Sequence, residues 1–465
     1  MRHMHDIIEG LIQAMKNQSY DILCRGHKRP LGISVTSTAS AIRHGTFVSD
    51  TKVGKINLPT FETNILSNMR IWGIRILLWA IISFLTGSFA SLFLWGLDEI
   101  AINRQPYFLF GLPVIGYLIY WSRRWAFAKQ GTNDLINHLH GNTFHSSHWL
   151  APFTLISTWF SHLVGASVGR EGAAVFMGGA IAQTSSDKFE ISAAEKSMWI
   201  RAGISAGFAA IFGTPWAGCF FGLEIKEVGK IQPRSIFACL VTAFSANFIS
   251  IHVYGTKHVL YPAILLPAIS GLFWAKLALI GLFLSLLART YKALESNIFL
   301  AADKLPVQAA QKSILGGFIL LVLFQFSFFQ ESIGLGSEFL LRPFSEHFES
   351  GMFAVQKLIA TSLSLGLGFK GGEATPLFLI GAHATAGISE FIQLPGPFLA
   401  AIGFTCLYMG LTKTPIAATC MGVELFGPEA WFCYLTVTII IIFLSGRKGL
   451  FQSQSWASYL PKLPV

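Results

Sequence analysis

Charged residues are scarce in this chain. Asp, Glu, Lys and Arg make up 12% of its 465 residues, whereas about a quarter of the residues of an ordinary soluble protein are charged. Hydrophobic residues make up 52% of the chain, and its mean hydropathy is +0.55. Many apolar runs are present, and a helix needs about 20 apolar residues to cross a bilayer. The short alternating segments of a transmembrane barrel are not the pattern here. We therefore predict an all-α, multi-pass membrane protein.

Paired cysteines and catalytic signatures are also missing from the sequence. Six cysteines are scattered, none in a C-x-x-C pair, and most lie in apolar runs. They are expected to be small core residues, not disulfides or metal ligands. No G-x-S-x-G, H-E-x-x-H or acidic metal-binding cluster occurs, which argues against a membrane enzyme that would use Glu171 and Arg170. A receptor or scaffold is equally disfavoured, and no cofactor is implied.

Acidic residues are fewer than basic ones, and the net charge is +10. The Lys and Arg residues lie mostly at the ends of apolar runs and in the first 70 residues. This distribution is typical of the cytoplasmic side of membrane proteins, so it predicts a cytoplasmic amino-terminal segment and not a nucleic-acid-binding surface. Residues 1–69 are expected to be a flexible tail. The alternative is an over-extended start of the reading frame, with Met69 directly before the first apolar run.

The apolar runs fall into two sets. The first run, 71–100, is longer than a perpendicular span requires and is expected to tilt. Gly-rich breaks at 165–172 and 366–372 interrupt the two sets, and broken helices at matching places in two halves indicate a transport site. We place the transmembrane domain at 70–457, its halves at about 70–255 and 260–450, and a short tail at 458–465. The other predicted helical runs are 106–121, 150–164, 171–185, 197–212, 214–228, 235–253, 262–297, 313–330, 353–368, 376–391, 396–411, 414–423 and 428–445.

The first break contains a charged motif, Gly169-Arg170-Glu171-Gly172, between two apolar runs. A charge at membrane depth costs several kcal/mol and normally faces a cavity, a partner or a transport path. The glycines allow the backbone to turn and to approach a ligand closely. A helix is predicted directly after the motif, so its free N–H groups would favour an anion here. Glu171 would compete for the place of that anion, which makes it a candidate gate.

The second break contains another acidic residue before a predicted helix. It includes Gly372-Glu373-Ala374-Thr375-Pro376, in which Pro376 suits the first turn of a helix. Thr375 adds a hydroxyl group within reach of the loop. Two carboxylates at two helix starts could bind and pass protons while the helix ends bind an anion.

These two motifs resemble those of the CLC family of chloride channels and transporters, over about residues 70–457. Gly169-Arg170-Glu171-Gly172 is similar to the family's gating-glutamate motif. The second motif departs from the usual G-x-F-x-P and resembles the fluoride/proton antiporter branch, where an acidic residue and a threonine occupy this loop. The resemblance implies an inverted repeat of tilted and broken transmembrane helices, location in a bacterial inner membrane, and a homodimer with one pathway per subunit.

The resemblance also assigns roles to further residues. The family's first loop maps to Gly131-Thr132-Asn133, and Phe451 stands where the family usually has a tyrosine. The implied anion-binding residues are Gly131, Thr132, Asn133, Gly169, Arg170, Gly172, Ala173, Ala374 and Phe451, with Glu171, Glu373 and Thr375 for gating and protons. Chloride/proton exchangers carry a proton glutamate where Ile225 stands here, so Glu373 is expected to carry the proton instead.

The function predicted from this resemblance is proton-coupled export of fluoride. Fluoride is small and strongly hydrated, so its site needs dense hydrogen-bond donors, such as helix-start N–H groups and the Thr132 and Thr375 hydroxyls. The alternative within the family is a chloride/proton antiporter or a chloride channel. The expected partners are fluoride or chloride, protons, membrane lipid and a second copy of the chain.

Simpler interpretations exist for most of these residues. Glu171 could pair with Arg170, and Glu373 with Lys370. Thr132 and Thr375 could cap helices, and Phe451 could be a packing residue. A polar interfacial loop, and not a metal site, is expected to contain the histidines His138, His140, His145 and His148. The carboxylates Glu224 and Glu227 are expected to face the cytoplasmic interface.

Overall fold

The computed structural model describes residues 61–122, 124–125, 129–141, 147–306, 308–345, 351–447 and 449–458. Most of the predicted tail, residues 1–60, lies outside the described residues, as does His145. The first helix, α1, begins at Phe61, so it takes in the last part of the segment that was expected to be a tail.

Helices in the first half of the chain follow the apolar runs closely. After α1 (Phe61–Asn103), a 3-10 helix (Pro106–Gly111) leads into α2 (Leu112–Ser122). The helices that follow are α3 (Thr132–Leu139), α4 (Leu150–Leu163), α5 (Glu171–Ser186), α6 (Ala193–Phe212), α7 (Pro215–Glu224) and α8 (Ile236–Phe248), which ends in a π turn (Ile249–Val253). The short α3 was not predicted, because its sequence is polar and has no apolar run.

Helices in the second half repeat this order. They are α9 (Gly271–Lys304), α10 (Ala309–Leu323), α11 (Met352–Gly366), α12 (Ala374–Ala386), α13 (Ser389–Ile392), α14 (Gly396–Thr412), α15 (Pro415–Phe426) and α16 (Trp431–Leu444). Short 3-10 turns connect α10 to α11, and the two-residue strands β1 (Glu227–Val228) and β2 (Ser455–Trp456) pair in parallel. The predicted run 262–297 begins too early, because residues 262–270 are not helical and α9 begins at Gly271.

The predicted all-α membrane fold is confirmed. Within the described residues, three helices are long and apolar enough to cross a membrane, at Met69–Asn103, Pro233–Val253 and Gly271–Lys304. The remaining apolar helices are shorter than a full span, as expected for broken helices. The two halves match in order: α5 packs on α6 as α12 packs on α14, and α7 packs on α15. The starts of α5 and α12 also lie together, since Gly169 and Gly372 directly before them are paired.

A second junction between the halves is formed by α7 and α15. Both helices begin at a proline that follows a threonine and carry the pattern Gly-x-Glu at or near their end, so that the repeated segments are 214–224 and 414–424. Glu224, at the end of α7, accepts hydrogen bonds from the N–H groups of Ile416 (3.1 Å) and Ala417 (2.9 Å) at the start of α15. Each of the first N–H groups of a helix lacks a partner within the helix, so these bonds satisfy groups that would otherwise be buried without one.

The reciprocal contact is also present. Glu424, near the end of α15, accepts hydrogen bonds from the N–H groups of Trp216 and Ala217 at the start of α7, both at 2.9 Å. The sequence-based placement of Glu224 at the cytoplasmic interface is therefore wrong, because Glu224 is 2% exposed and faces α15. Glu227 is partly exposed and pairs with Lys230 at 3.1 Å. Ile225 is fully buried in the core.

We expect Glu224→Ala and Glu424→Ala each to lower the stability of the protein by about 1–3 kcal/mol, because each change leaves two helix-start N–H groups without an acceptor. Melting of the detergent-purified protein, followed by fluorescence, measures the change. Glu227→Ala is the control, since its ion pair with Lys230 is partly exposed and such pairs contribute about 0–1 kcal/mol. Equal melting temperatures for the three variants would contradict reciprocal capping.

Candidate functional site

The two Gly-rich breaks pair with each other through their backbones. The Gly169 N–H donates to the Gly372 carbonyl at 2.6 Å, and the Gly372 N–H donates to the Gly169 carbonyl at 2.7 Å. The pairing is antiparallel and joins one residue of each half. Both segments are therefore extended just before a helix begins, α5 after the first and α12 after the second.

The glycines are required for this close approach. A Cβ atom on Gly372 would lie 2.5 Å from the Gly172 nitrogen, and one on Gly169 would lie 2.7 Å from Cδ of Pro376. Such distances are too short for any side chain, so only glycine fits at these positions. The sequence predicted that the glycines would admit a ligand; in the structure they also admit the backbone of the other half.

Glu171 is the first residue of α5, and its carboxylate reaches the start of α12. Both of its oxygens accept hydrogen bonds from Thr375: Oε2 from the N–H at 2.9 Å, and Oε1 from the hydroxyl. Arg170 adds its own N–H at 3.2 Å and its Nε at 3.1 Å. Glu171 is 1% exposed. A carboxylate thus occupies the N-terminus of α12, which is where a free anion would be stabilised.

Two of the simpler interpretations can be compared with the structure: that Glu171 pairs with Arg170, and that Thr132 and Thr375 cap helices. The Arg170–Glu171 pair exists in the structure, but Thr375 supplies two further hydrogen bonds to the same carboxylate. Thr375 is not the cap of α12, because the cap position belongs to Glu373. Thr132 is not the cap of α3 either, since Gly131 is in that position and Asp134 accepts its N–H at 2.9 Å. The prediction that these threonines occupy the cap positions is therefore wrong for both.

Two cavities adjoin the paired loops. The larger, of about 200 Å³, is lined by six of the predicted site residues: Gly131, Thr132, Gly172, Ala173, Glu373 and Phe451. The smaller, of about 20 Å³, is lined by Arg170, Glu171 and Thr375 together with His258 and Tyr261. Because the consecutive residues Glu171 and Gly172 line different cavities, the start of α5 separates them. The Glu171 side chain stands at this boundary.

The other predicted anion-binding residues lie outside the cavity linings. Gly169 is in the paired segment, and Ala374 is the first residue of α12. Asn133 is turned elsewhere, since its Oδ1 accepts the Ser453 N–H at 3.2 Å. It ties α3 to the segment that follows Phe451. Asn133 therefore helps to position the cavity wall and does not line the cavity.

Glu373 is placed differently from Glu171. It precedes α12 and lines the larger cavity, and its Oε2 is buried without a hydrogen bond in the described part of the chain. Tyr291, Lys292 and Glu295, all on α9, are the nearby polar and charged groups. Lys292 and Glu295 pair with each other at 2.8 Å. Glu373 is thus a carboxyl group with spare hydrogen-bonding capacity beside other polar groups.

Sequence reasoning missed several residues of the larger cavity. Tyr408 of α14 lines it, and so do Phe153, Thr154, Ser157 and Thr158 of α4. The α4 residues lie at spacings of three and four, which place them on one face of a helix. Hydroxyl groups on one face of an apolar helix were a readable signal for this lining. Tyr408 gave no such signal, because it is a single aromatic residue in an apolar run.

Comparisons with known proteins identify the family of this chain. Residues 110–446 match the family model described as voltage gated chloride channel. A chloride/fluoride channel protein of Pseudomonas syringae pv. tomato is 32% identical over 386 residues, which are 80% of this chain and 84% of that protein. A voltage-gated ClC-type chloride channel, ClcB, of Salmonella typhimurium is 27% identical over 295 residues, which are 61% of this chain and 69% of that protein.

Two solved structures have the same fold as this chain. The crystal structure of a CLC-type fluoride/proton antiporter superimposes with a TM-score of 0.79 at 26% identity, covering 84% of this chain and 99% of that chain. The structure of a slow cyanobacterial Cl-/H+ antiporter has the same fold, with a TM-score of 0.67 at 18% identity, covering 80% of this chain and 94% of that chain.

Proposed function

The chain belongs to the voltage-gated chloride channel (CLC) family of integral, multi-pass membrane proteins, and from this premise we propose that it exports fluoride in exchange for protons. One observation carries the proposal: Thr375 of the second loop donates two hydrogen bonds to Glu171 of the first, while Glu373 beside it faces the larger cavity. The second loop therefore contributes both a ligand for the gate and a separate carboxyl group for protons. We take the protein to be a transporter of a bacterial inner membrane and not an enzyme.

The gate is proposed to work by competition for one set of donors. When Glu171 is ionised, its carboxylate takes the Thr375 N–H and hydroxyl. When Glu171 is protonated, it no longer needs those donors, and they become available to an anion. Arg170, at 3.1 Å from the carboxylate, balances its charge when Glu171 is ionised and leaves the site positive when Glu171 is protonated. Proton binding and anion entry are thereby coupled, because an anion can take the Thr375 donors only when a proton has neutralised Glu171.

Fluoride suits the donors present. It is strongly hydrated, so entry into the protein requires several strong hydrogen-bond donors in place of water. The start of α5 presents Gly172 and Ala173 to the larger cavity, and Thr132 and Tyr408 add hydroxyl-bearing side chains to the same wall. Charge-assisted hydrogen bonds of this kind are about twice as strong as neutral ones. Phe451 contributes an apolar wall, which excludes water from the same space.

The proton is proposed to travel by way of Glu373. Ile225, which stands where related exchangers carry a proton glutamate, is fully buried and cannot titrate. Glu224, its neighbour, accepts hydrogen bonds from the N–H groups at the start of α15. Glu373 has a carboxyl oxygen without a hydrogen bond and lies beside Tyr291 and the Lys292–Glu295 pair. It is therefore the carboxyl group best placed to load and release protons at the larger cavity.

A chloride/proton antiporter or chloride channel is the second candidate. The observation that favours it is the Thr132 side chain in the cavity wall, at the position of the chloride-binding serine of chloride members.

The protein is further proposed to be a homodimer in lipid with one pathway per subunit. Apolar side chains such as Phe237, Phe244 and Phe248 of α8 are exposed for contact with lipid or a second copy.

Purified protein in liposomes tests the function directly. We expect rapid fluoride efflux, much slower chloride efflux, and proton uptake driven by an outward fluoride gradient, each measured with ion and pH electrodes against protein-free liposomes. Comparable fluoride and chloride efflux would overturn the fluoride assignment. Fluoride efflux without proton uptake would instead identify a channel.

We expect Glu171→Gln to abolish coupled exchange, because an amide cannot ionise and its NH2 group would face the Thr375 donors. Proton uptake under a fluoride gradient should fall at least about tenfold, the loss that corresponds to about 1.4 kcal/mol. Glu99→Gln is the control, since Glu99 lies at the exposed end of α1. Normal coupled turnover in Glu171→Gln would refute the gate.

We expect Glu373→Gln to reduce proton flux more than fluoride flux. The residue lines the cavity but makes no contact with Glu171 in the described hydrogen bonds, so the anion position remains while the proton carrier is lost. Simultaneous fluoride and pH recordings from the same liposomes give the ratio of the two fluxes. An unchanged ratio would show that protons take another route.

A further inference from the structure

One hydroxyl group of α4 has no partner in the described structure. Thr154, Ser157 and Thr158 all line the larger cavity. Thr154 donates its hydroxyl to the Leu150 carbonyl at 2.8 Å, and Ser157 donates to the Thr154 carbonyl at 3.2 Å. Thr158 is 1% exposed, and its hydroxyl makes no hydrogen bond with the described residues.

The helix itself explains why Thr158 differs from Thr154. A threonine within a helix usually donates to the carbonyl four residues earlier, as Thr154 does. For Thr158 that carbonyl belongs to Thr154, and it already accepts the Ser157 hydroxyl. The Thr158 hydroxyl is left buried in the cavity wall. A buried polar group without a partner is unfavourable and calls for a ligand or water to satisfy it.

The surroundings of Thr158 favour an anion as that ligand. The start of α5, at Gly172 and Ala173, lines the same cavity, and the positive end of a helix dipole attracts negative charge. Lys370 adds a positive side chain to the wall, and Thr132 adds a second hydroxyl. A hydroxyl donor is worth most to a small anion that gives up a tightly held water shell.

We propose that the Thr158 hydroxyl is a fluoride ligand in the larger cavity and contributes to the preference for fluoride over chloride. This proposal rests on the proposed function of the same site. It assigns the ion a position on the α4 side of the cavity, away from the Glu171 carboxylate. Fluoride would meet Thr158 before it competes with Glu171 for the donors of Thr375.

The test is Thr158→Val, which removes the hydroxyl and keeps the shape of the side chain. Fluoride flux in liposomes at low fluoride should fall about tenfold, since a hydrogen bond to a charged group is being removed, while chloride flux stays unchanged. Thr158→Ser should restore fluoride flux. Thr290→Val is the matched control, because Thr290 is exposed on α9 and donates to the Leu286 carbonyl at 2.9 Å.

Failure of this proposal is distinct from failure of the proposed function. If the unaltered protein does not transport fluoride, the proposed function fails and this proposal falls with it. If the unaltered protein transports fluoride and Thr158→Val matches Thr290→Val, only the ligand role is overturned. Should Thr158→Val not fold, Thr158→Ala is measured in its place, with fluoride binding to the purified protein by calorimetry as the readout. Unchanged affinity in Thr158→Ala overturns the proposal, and weakened affinity supports it.

Discussion

The pairing of Gly169 with Gly372 is the contact on which the transport site depends. Within a membrane every backbone N–H and carbonyl group must find a partner in the protein, so a broken helix is tolerated only where something else satisfies the break. Here each break satisfies the other, with hydrogen bonds of 2.6 and 2.7 Å. The starts of α5 and α12 therefore meet where each break completes two backbone hydrogen bonds of the other.

Close backbone contact then dictates the composition of the loops. Side chains are excluded at Gly169, Gly172 and Gly372, where an added Cβ would lie within 2.9 Å of neighbouring atoms. The polar chemistry has to come from the residues next to them, and these are Arg170, Glu171 and Glu373. Thr375 follows one residue into α12 and reaches back to Glu171. The order of small and polar residues in both motifs thus follows from one steric requirement.

Most of the helices and the place of the candidate site could be predicted from the sequence. Apolar runs predicted most of the helices, because a membrane protein needs long apolar segments, and the misplaced charge at Glu171 marked the site. The start of α9 was misplaced because residues 262–270 are apolar without being helical. Spacing alone could not predict that Glu224 faces α15, since a carboxylate at the end of an apolar run looks interfacial. The repeated pattern at 214–224 and 414–424 was present in the sequence, but its meaning depends on how α7 and α15 pack.

The two junctions between the halves differ in one informative way. At the junction of α7 and α15 the contacts are reciprocal: each glutamate accepts two N–H groups of the other helix, so both carboxylates are satisfied and fixed. At the junction of α5 and α12 the backbone pairing is reciprocal but the carboxylates are not. Glu171 reaches the opposite helix start, whereas Glu373 precedes its own helix and turns to the cavity.

This loss of symmetry separates two tasks that a symmetric pair could not perform. In the proposed mechanism, a carboxylate held by the opposite helix start blocks an anion until a proton releases it, whereas one whose oxygen has no partner among the described residues exchanges protons without moving the gate. If Glu373 reached α5 as Glu171 reaches α12, both would be fixed caps like Glu224 and Glu424. The same duplicated architecture therefore yields a rigid joint where its carboxylates match and a coupled site where they differ.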